Sequence, residues 1–250
     1  MDASKASARK GMRVRIPLRA PDFGLPQAHN GAVPPAFADR RDAGRRVAEL
    51  VADLADDDVV VVGLPRGGVP VAAEVARVLG APLDVLVVGK VGVPGHEELA
   101  LGAVADDGQV VVNPSVIAAV GLTDDEVAAL ARRQVAVLAR RAEELRGGVA
   151  AVPLEGRTVV VVDDGMATGA TMRVAVEVAR RRAARAVVAA VPVAAAEAAA
   201  ALAQAVDRFE CVLTPPGFRA VGPWYADFTQ VGDREVRGLL RSAVHGADDA

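Results

Sequence analysis

Short runs of consecutive apolar residues alternate along this chain with longer segments whose apolar residues recur every three to four positions. Val59–Gly63, 83–88, Thr158–Val162, 186–191 and 209–213 are of the first kind, interrupted only by Asp84 and Glu210. Each is bounded by Gly, Pro or charged residues and is too short for a helix, so each reads as a strand. Their lack of polar alternation predicts burial on both faces, the condition of strands in a parallel sheet flanked by helices. Two further short strands are expected at 101–105 and Val110–Val112. The helical kind covers the segment after Asp39 (Ala43, Val47, Leu50, Val51, Leu54), 70–79 closed by Gly80, 123–146, 169–182 and the alanine-rich 194–206. The order predicts an α/β fold, a doubly wound and mainly parallel sheet, with a small hood built from the chain's ends.

The segment 123–146 carries the plainest helix signals. Thr123 and Glu126 form a capping box, Asp124 and Asp125 suit the positive end, and Gly147–Gly148 stop it. Its arginine pairs, Arg132–Arg133 and Arg140–Arg141, read as a solvated face rather than an anion site. Composition shifts divide the chain into a basic, Pro/Gly-rich tail or clasp (1–35), a core (36–214) with a helical insert (113–150), and a C-terminal hood and helix (215–250).

Net charge is −3 over 250 residues, so no global basic field recommends a nucleic acid or an anionic membrane as partner. The most apolar stretch, 186–196, is broken by Pro192 and stopped by Glu197, short of the ~18 residues of a membrane span. Lys5, Arg9, Lys10, Arg13 and Arg15 precede no apolar core, unlike a secretory signal. The single cysteine, Cys211, excludes an intramolecular disulfide, fits a reducing cytoplasm and reads as a small buried hydrophobe. With aromatics at 3%, Val, Ala and Leu must build the core.

Candidate chemistry concentrates in residues 159–171, VVVVDDGMATGAT. Asp163 and Asp164 arrive at the carboxyl end of a buried strand, where open α/β sheets place their ligand crevice. Gly165, Met166, Ala167, Thr168, Gly169, Ala170 and Thr171 then lead into a helix. The small side chains let backbone amides approach a phosphate, and the two threonines add hydroxyl donors. Carboxylates beside a phosphate repel it unless something lies between them, and a ribose 5-phosphate meets that condition. The plainer alternative is an acidic pair that ends a strand and caps the next helix. In 64–68 (LPRGG), Arg66 offers a forked anion donor while Gly67 and Gly68 permit close backbone approach. Read structurally, the same residues make a tight strand-to-helix turn.

The 159–171 string resembles the fingerprint of the type I phosphoribosyltransferases, and the resemblance extends over about 37–240. FADRRDAGRR (37–46), GLPRGGVPV (63–71), KVGVPGHEELALGAV (90–104) and WYADF (224–228) resemble a bacterial subgroup of unassigned base specificity. The resemblance implies that Asp163 and Asp164 bind the ribose hydroxyls and that 165–171 wraps the 5-phosphate. It also implies that 64–68 is the pyrophosphate loop and that 91–99 is a flexible catalytic loop, in which His96 reads as a solvated residue. Lys90, the only lysine outside the tail, would neutralise pyrophosphate. Gly89 stands where relatives often have Arg. Mg²⁺ would be carried by substrate oxygens with help from Asp163 and Asp164, without a metal site built by protein alone.

The implied reaction transfers 5-phosphoribosyl from phosphoribosyl pyrophosphate to a ring nitrogen of a nucleobase-like acceptor, releasing pyrophosphate, in nucleotide salvage. Ala167 stands where 6-oxopurine enzymes commonly place a carboxylate, so that base class is not supported. Phe218, Trp224 and Tyr225, with Phe228, form either a hood that stacks on the base or packing anchors for the last helix. A homodimer is among the expected assemblies. The rival reading is a regulator that binds phosphoribosyl pyrophosphate without turning it over. No downstream strand-end lysine supports a receiver domain, and no G-x-x-x-x-G-K-[ST] string supports a P-loop.

Overall fold

The structure, a computed structural model, describes residues 35–93, 96–112 and 114–247. The described residues open with helix α1 (Arg40–Val51), capped by the Asp39 carboxylate accepting from the Asp42 amide. Strand β1 (Val59–Gly63) leads into α2 (Gly68–Leu79), and β2 (Leu83–Val85) follows. Then come β3 (Val88–Val93), β4 (His96–Ala105), β5 (Val110–Val112), α3 (Pro114–Val120) and α4 (Asp124–Arg146). The last part runs β6 (Thr158–Val162), α5 (Ala170–Arg181), β7 (Ala186–Val193), α6 (Ala196–Ala203), β8 (Arg208–Leu213) and α7 (Asp233–Ala247).

Five strands form a parallel sheet in the order β2-β1-β6-β7-β8. The central valine runs are continuous because each strand is covered twice. Val59, Val61, Val160 and Val162 face a core shared with α1, α2, α4 and α7, while Val60, Val62, Val159 and Val161 face one shared with α5 and α6. From β1 the chain moves outward to β2; from β6 it moves the other way to β7. The order therefore reverses between β1 and β6, and a crevice opens beyond their carboxyl ends. Both candidate loops, 64–67 and 163–169, leave the sheet there.

The segment 83–100 departs from expectation. The strand expected at 83–88 lasts only three residues, and the chain then enters a separate antiparallel sheet, β3-β4-β5. The expected flexible loop 91–99 is, where described, the paired part of this hairpin, with register shifts around Gly92. Val91, Val93, Leu101 and Val104 are buried in the core beside α4, which gives the hairpin an apolar footing. Residues 94–95 and the basic tail 1–34 lie outside the described residues.

Helix α4 has the expected capping box, Thr123 Oγ1 accepting from the Glu126 amide and Glu126 Oε2 from the Thr123 amide. Arg132, Arg133 and Arg140 are exposed as expected; Arg141 is turned toward α7. At the helix end, Arg146 donates to Asp84 (Nε to Oδ1, 2.8 Å) and to Asp106 (3.1 Å), and Arg182 also pairs with Asp106 (2.7 Å). Asp84 is 4% exposed, so an uncompensated charge there would be expensive. Arg146→Met is expected to lower unfolding free energy by about 2–3 kcal/mol, somewhat less than for a fully buried pair. A fall in the urea midpoint without loss of cooperativity checks it.

No helix among the described residues is long and apolar enough to cross a membrane. Cys211 is buried, its thiol donates to the Leu213 carbonyl (3.0 Å), and burial pushes its pKa up to about 12. That makes it inert as a nucleophile at neutral pH.

Candidate active site

At the end of β6 the Asp164 amide donates to Asp163 Oδ1 (2.8 Å), fixing the first carboxylate over its own backbone. Asp164 Oδ2 accepts from Arg40 Nε at 2.8 Å. Arg40 also donates to the Thr229 carbonyl (2.8 Å), and its guanidinium lies 3.9 Å from the centre of the Phe228 ring. The Tyr225 hydroxyl donates to the Asp164 carbonyl at 2.5 Å. Asp164 is thus held from three sides as a paired carboxylate. Asp163 is the strained member: burial, then the Asp164 charge, push its carboxyl well above the usual range, and the Asp164 amide bond and Arg40 only partly offset this.

The 64–68 loop rests directly on this pair. Leu64 is buried as its anchor, and its amide donates to the Val162 carbonyl (2.9 Å). The Pro65–Arg66 peptide is cis. A β-carbon on Gly67 would stand 2.0 Å from Asp164 Oδ2, and one on Gly68 would stand 2.7 Å from the Val162 carbonyl oxygen. Only glycine permits this approach, so the two loops expected to share a cleft do meet. Arg66 projects to the rim, 3.5 Å from Asp233 at the start of α7.

The 165–171 segment has a fixed base and an open rim. A β-carbon on Gly165 would stand 2.5 Å from Val221, so the C-terminal segment presses against it. Met166 is an anchor: its side chain is buried, its amide donates to the Val193 carbonyl and its carbonyl accepts from the Ala195 amide. Gly169 has φ +71° and opens α5. Ala167, Thr168, Ala170 and Thr171 are exposed along the rim, with the Ala170 amide 3.4 Å from Thr168 Oγ1. Lys90 is exposed on β3, opposite Ala103 in the antiparallel sheet. The described side chains do not include His96.

The three aromatics expected to form a hood separate. Tyr225 is 5% exposed and packs between Phe37 (5.3 Å) and Phe228 (5.0 Å), as a packing anchor. Phe218 and Trp224 are half-buried. The Trp224 carbonyl accepts from the amides of Ala36 and Phe37, while Ala226 and Asp227 donate back to the carbonyls of Phe37 and Ala38. This clasp sets the start of α1 and thereby aims Arg40. On the far side of Arg40 lies a cavity of about 200 Å³, bordered by Asp39, Arg41, Pro70, Asp227 and Glu235.

Sequence reasoning passes over Arg40, although it lies within the FADRRDAGRR block. One signal is present: cations in a helix's first turn oppose its dipole, so Arg40 just after the Asp39 cap needs another reason to be there. Asp233 carries no such signal, and the pairing of Arg141 with its neighbour Arg140 disguises it as part of a solvated face.

An acidic pair and two glycine loops converging where strand order reverses are the layout of a ligand crevice in open α/β proteins. Residues 36–218 match the family described as phosphoribosyl transferase domain. Two Mycobacterium tuberculosis proteins, from strains CDC 1551 and H37Rv, are both named "Putative phosphoribosyl transferase". Each is 50% identical over 207 residues, which is 83% of this chain and 47% of theirs. The chain thus spans about half the length of these relatives. The crystal structure of TT1426 from Thermus thermophilus superposes with TM-score 0.74 and 45% identity, covering 82% of this chain and 98% of that one. The chain belongs to the phosphoribosyl transferase family.

Proposed function

We propose that this chain transfers the 5-phosphoribosyl group of phosphoribosyl pyrophosphate to a ring nitrogen of a nucleobase-like acceptor. The C1–oxygen bond to pyrophosphate breaks, a C1–nitrogen bond forms, and the base gives up its proton. The observation that carries this reading is the seating of Gly67 and Gly68 against Asp164 and Asp163, which juxtaposes an anion loop with a carboxylate pair.

In this reading Asp163 and Asp164 accept hydrogen bonds from the ribose hydroxyls. The exposed residues Ala167, Thr168, Ala170 and Thr171, with Gly165 and Gly169 shaping the turn, hold the 5-phosphate. Met166 acts by fixing the loop. Arg66, Gly67 and Gly68 receive pyrophosphate, and Arg40 keeps Asp164 aimed. Catalysis then rests on positioning and on stabilising the leaving group's charge. Lys90 on the hairpin supplies a further cation, and Phe218 and Trp224 border the acceptor.

Mg²⁺ suits the donors present. Asp163 and Asp164 offer hard oxygen ligands, and a divalent cation relieves the charge that raises Asp163's pKa. Among the described residues no group of three or more His, Cys, Asp or Glu is arranged to hold a metal, so substrate oxygens would supply most ligands. When bound, the ion would offset the charge gathered by departing pyrophosphate. The single, buried Cys211 supports a cytoplasmic setting.

The test is pyrophosphate release from phosphoribosyl pyrophosphate and Mg²⁺ with a panel of purines and pyrimidines. Release with at least one base is expected. Tight binding with no product from any base would instead establish the non-catalytic regulator.

A further inference from the structure

Helix α4 and the first turn of α7 reach the 64–68 loop through three charged side chains. Asp233 receives two short charge-assisted bonds from Arg141, 2.7 Å to Oδ2 and 2.6 Å to Oδ1. The same Oδ1 lies 3.5 Å from Arg66 Nη1. Arg141 is also 3.6 Å from Glu144, which supports its orientation. The Arg141 bonds, with Arg66 and Arg237 adding to them, hold the Asp233 carboxyl below the usual range.

The asymmetry decides what this cluster can do. Arg141 grips both oxygens of Asp233 in the strong, forked geometry, whereas Arg66 makes one long contact. All three side chains are about one-third exposed, so water can replace the weaker contact. A carboxylate already satisfied by one arginine retains little hold on a second. Arg66 can therefore turn to another anion without leaving Asp233 uncompensated.

We propose that Arg141 is a positioning residue for Arg66, acting through Asp233. Asp233 holds the Arg66 guanidinium in competition with pyrophosphate. Arg141, by occupying both Asp233 oxygens, keeps that hold weak enough for Arg66 to pass to the pyrophosphate group. This inference rests on the assignment of 64–68 to pyrophosphate, and it gives α4 a task at the site.

Arg141→Met keeps an apolar stem on α4 but leaves Asp233 to close on Arg66. The Kd for inorganic pyrophosphate in Mg²⁺ and the KM for phosphoribosyl pyrophosphate should rise roughly three- to tenfold, with kcat within about twofold. Asp233→Asn should bind pyrophosphate as well as the unaltered protein or better. The double variant should return Kd and KM to within about twofold of the starting values. Mere loosening of the α4–α7 contact predicts the opposite, because the double variant lacks the same ion pair. An unchanged Kd in Arg141→Met, a double variant that stays weak, or a loss confined to kcat each overturns the inference. If the unaltered protein binds neither pyrophosphate nor phosphoribosyl pyrophosphate, the loop assignment falls and takes this inference with it. If Arg66→Ala weakens pyrophosphate while the Arg141 series stays flat, only the inference falls.

Discussion

Asp163→Asn is expected to slow transfer from phosphoribosyl pyrophosphate by roughly 10²-fold while raising the melting midpoint. The rate loss is that of a charge-assisted hydrogen bond to a ribose hydroxyl, about 2.7 kcal/mol. The stability gain follows from what Asp163 suffers in the fold: it is overlaid by Gly68 and faces the Asp164 charge. Asparagine has the same shape, and its Oδ1 can still accept the Asp164 amide bond that Asp163 accepts at 2.8 Å. Relief of an unfavourable buried charge on the order of 1 kcal/mol amounts to about 2–4 °C in a chain of this size.

The pH dependence fixes the sign. Asp163's folded pKa lies above its unfolded value, so between the two the folded state holds the extra proton. Stability of the unaltered protein therefore falls as pH rises from about 4 towards the folded value. The variant's advantage should vanish below about pH 4 and be larger at pH 8. Thermal scans at those two pH values check it. A variant less stable at pH 8 would mean that the carboxylate serves the fold and not a ligand.

Gly67→Ala is expected to reduce kcat/KM by at least about 10²-fold, the scale of a misplaced binding loop. Its β-carbon would fall 2.0 Å from Asp164 Oδ2. That oxygen cannot swing aside cheaply, since Arg40 binds it and Tyr225 holds the backbone beneath it. The loop must lift instead, separating the glycine amides from the acidic pair. Gly238→Ala supplies the contrast: nothing lies within 4 Å of its β-carbon, and its position is helical. It should keep full activity and gain about 0.5–1 kcal/mol of stability. Steady-state kinetics beside urea unfolding separates the two effects; a fully active Gly67→Ala would remove the close seating from the mechanism.

The parts of the fold that could be read in advance obey local rules. β1 and β6 announce themselves because burial on both faces demands unbroken valine, and α4 because a capping box and a glycine stop need only neighbouring residues. β3 and the start of β4 escaped because Gly92, Pro94 and Gly95 imitate a loop, while their apolar support comes from elsewhere in the chain. The candidate site divides the same way. Asp163, Asp164, Gly67 and Gly68 stand in compact strings with a chemical rationale. Arg40 meets Asp164 across 124 residues, and Arg141 meets Asp233 across 92. No periodicity encodes such pairings; only the assembled fold brings them together.

The clasp between Phe37 and Ala226 has a consequence for how the molecule can be cut. The acids lie mid-chain, yet their aim is delivered from both flanks: Arg40 from the early side, Tyr225 from the late one. A fragment trimmed to the sheet and its two glycine turns would retain the acidic pair and both loops and lose the brace that orients them.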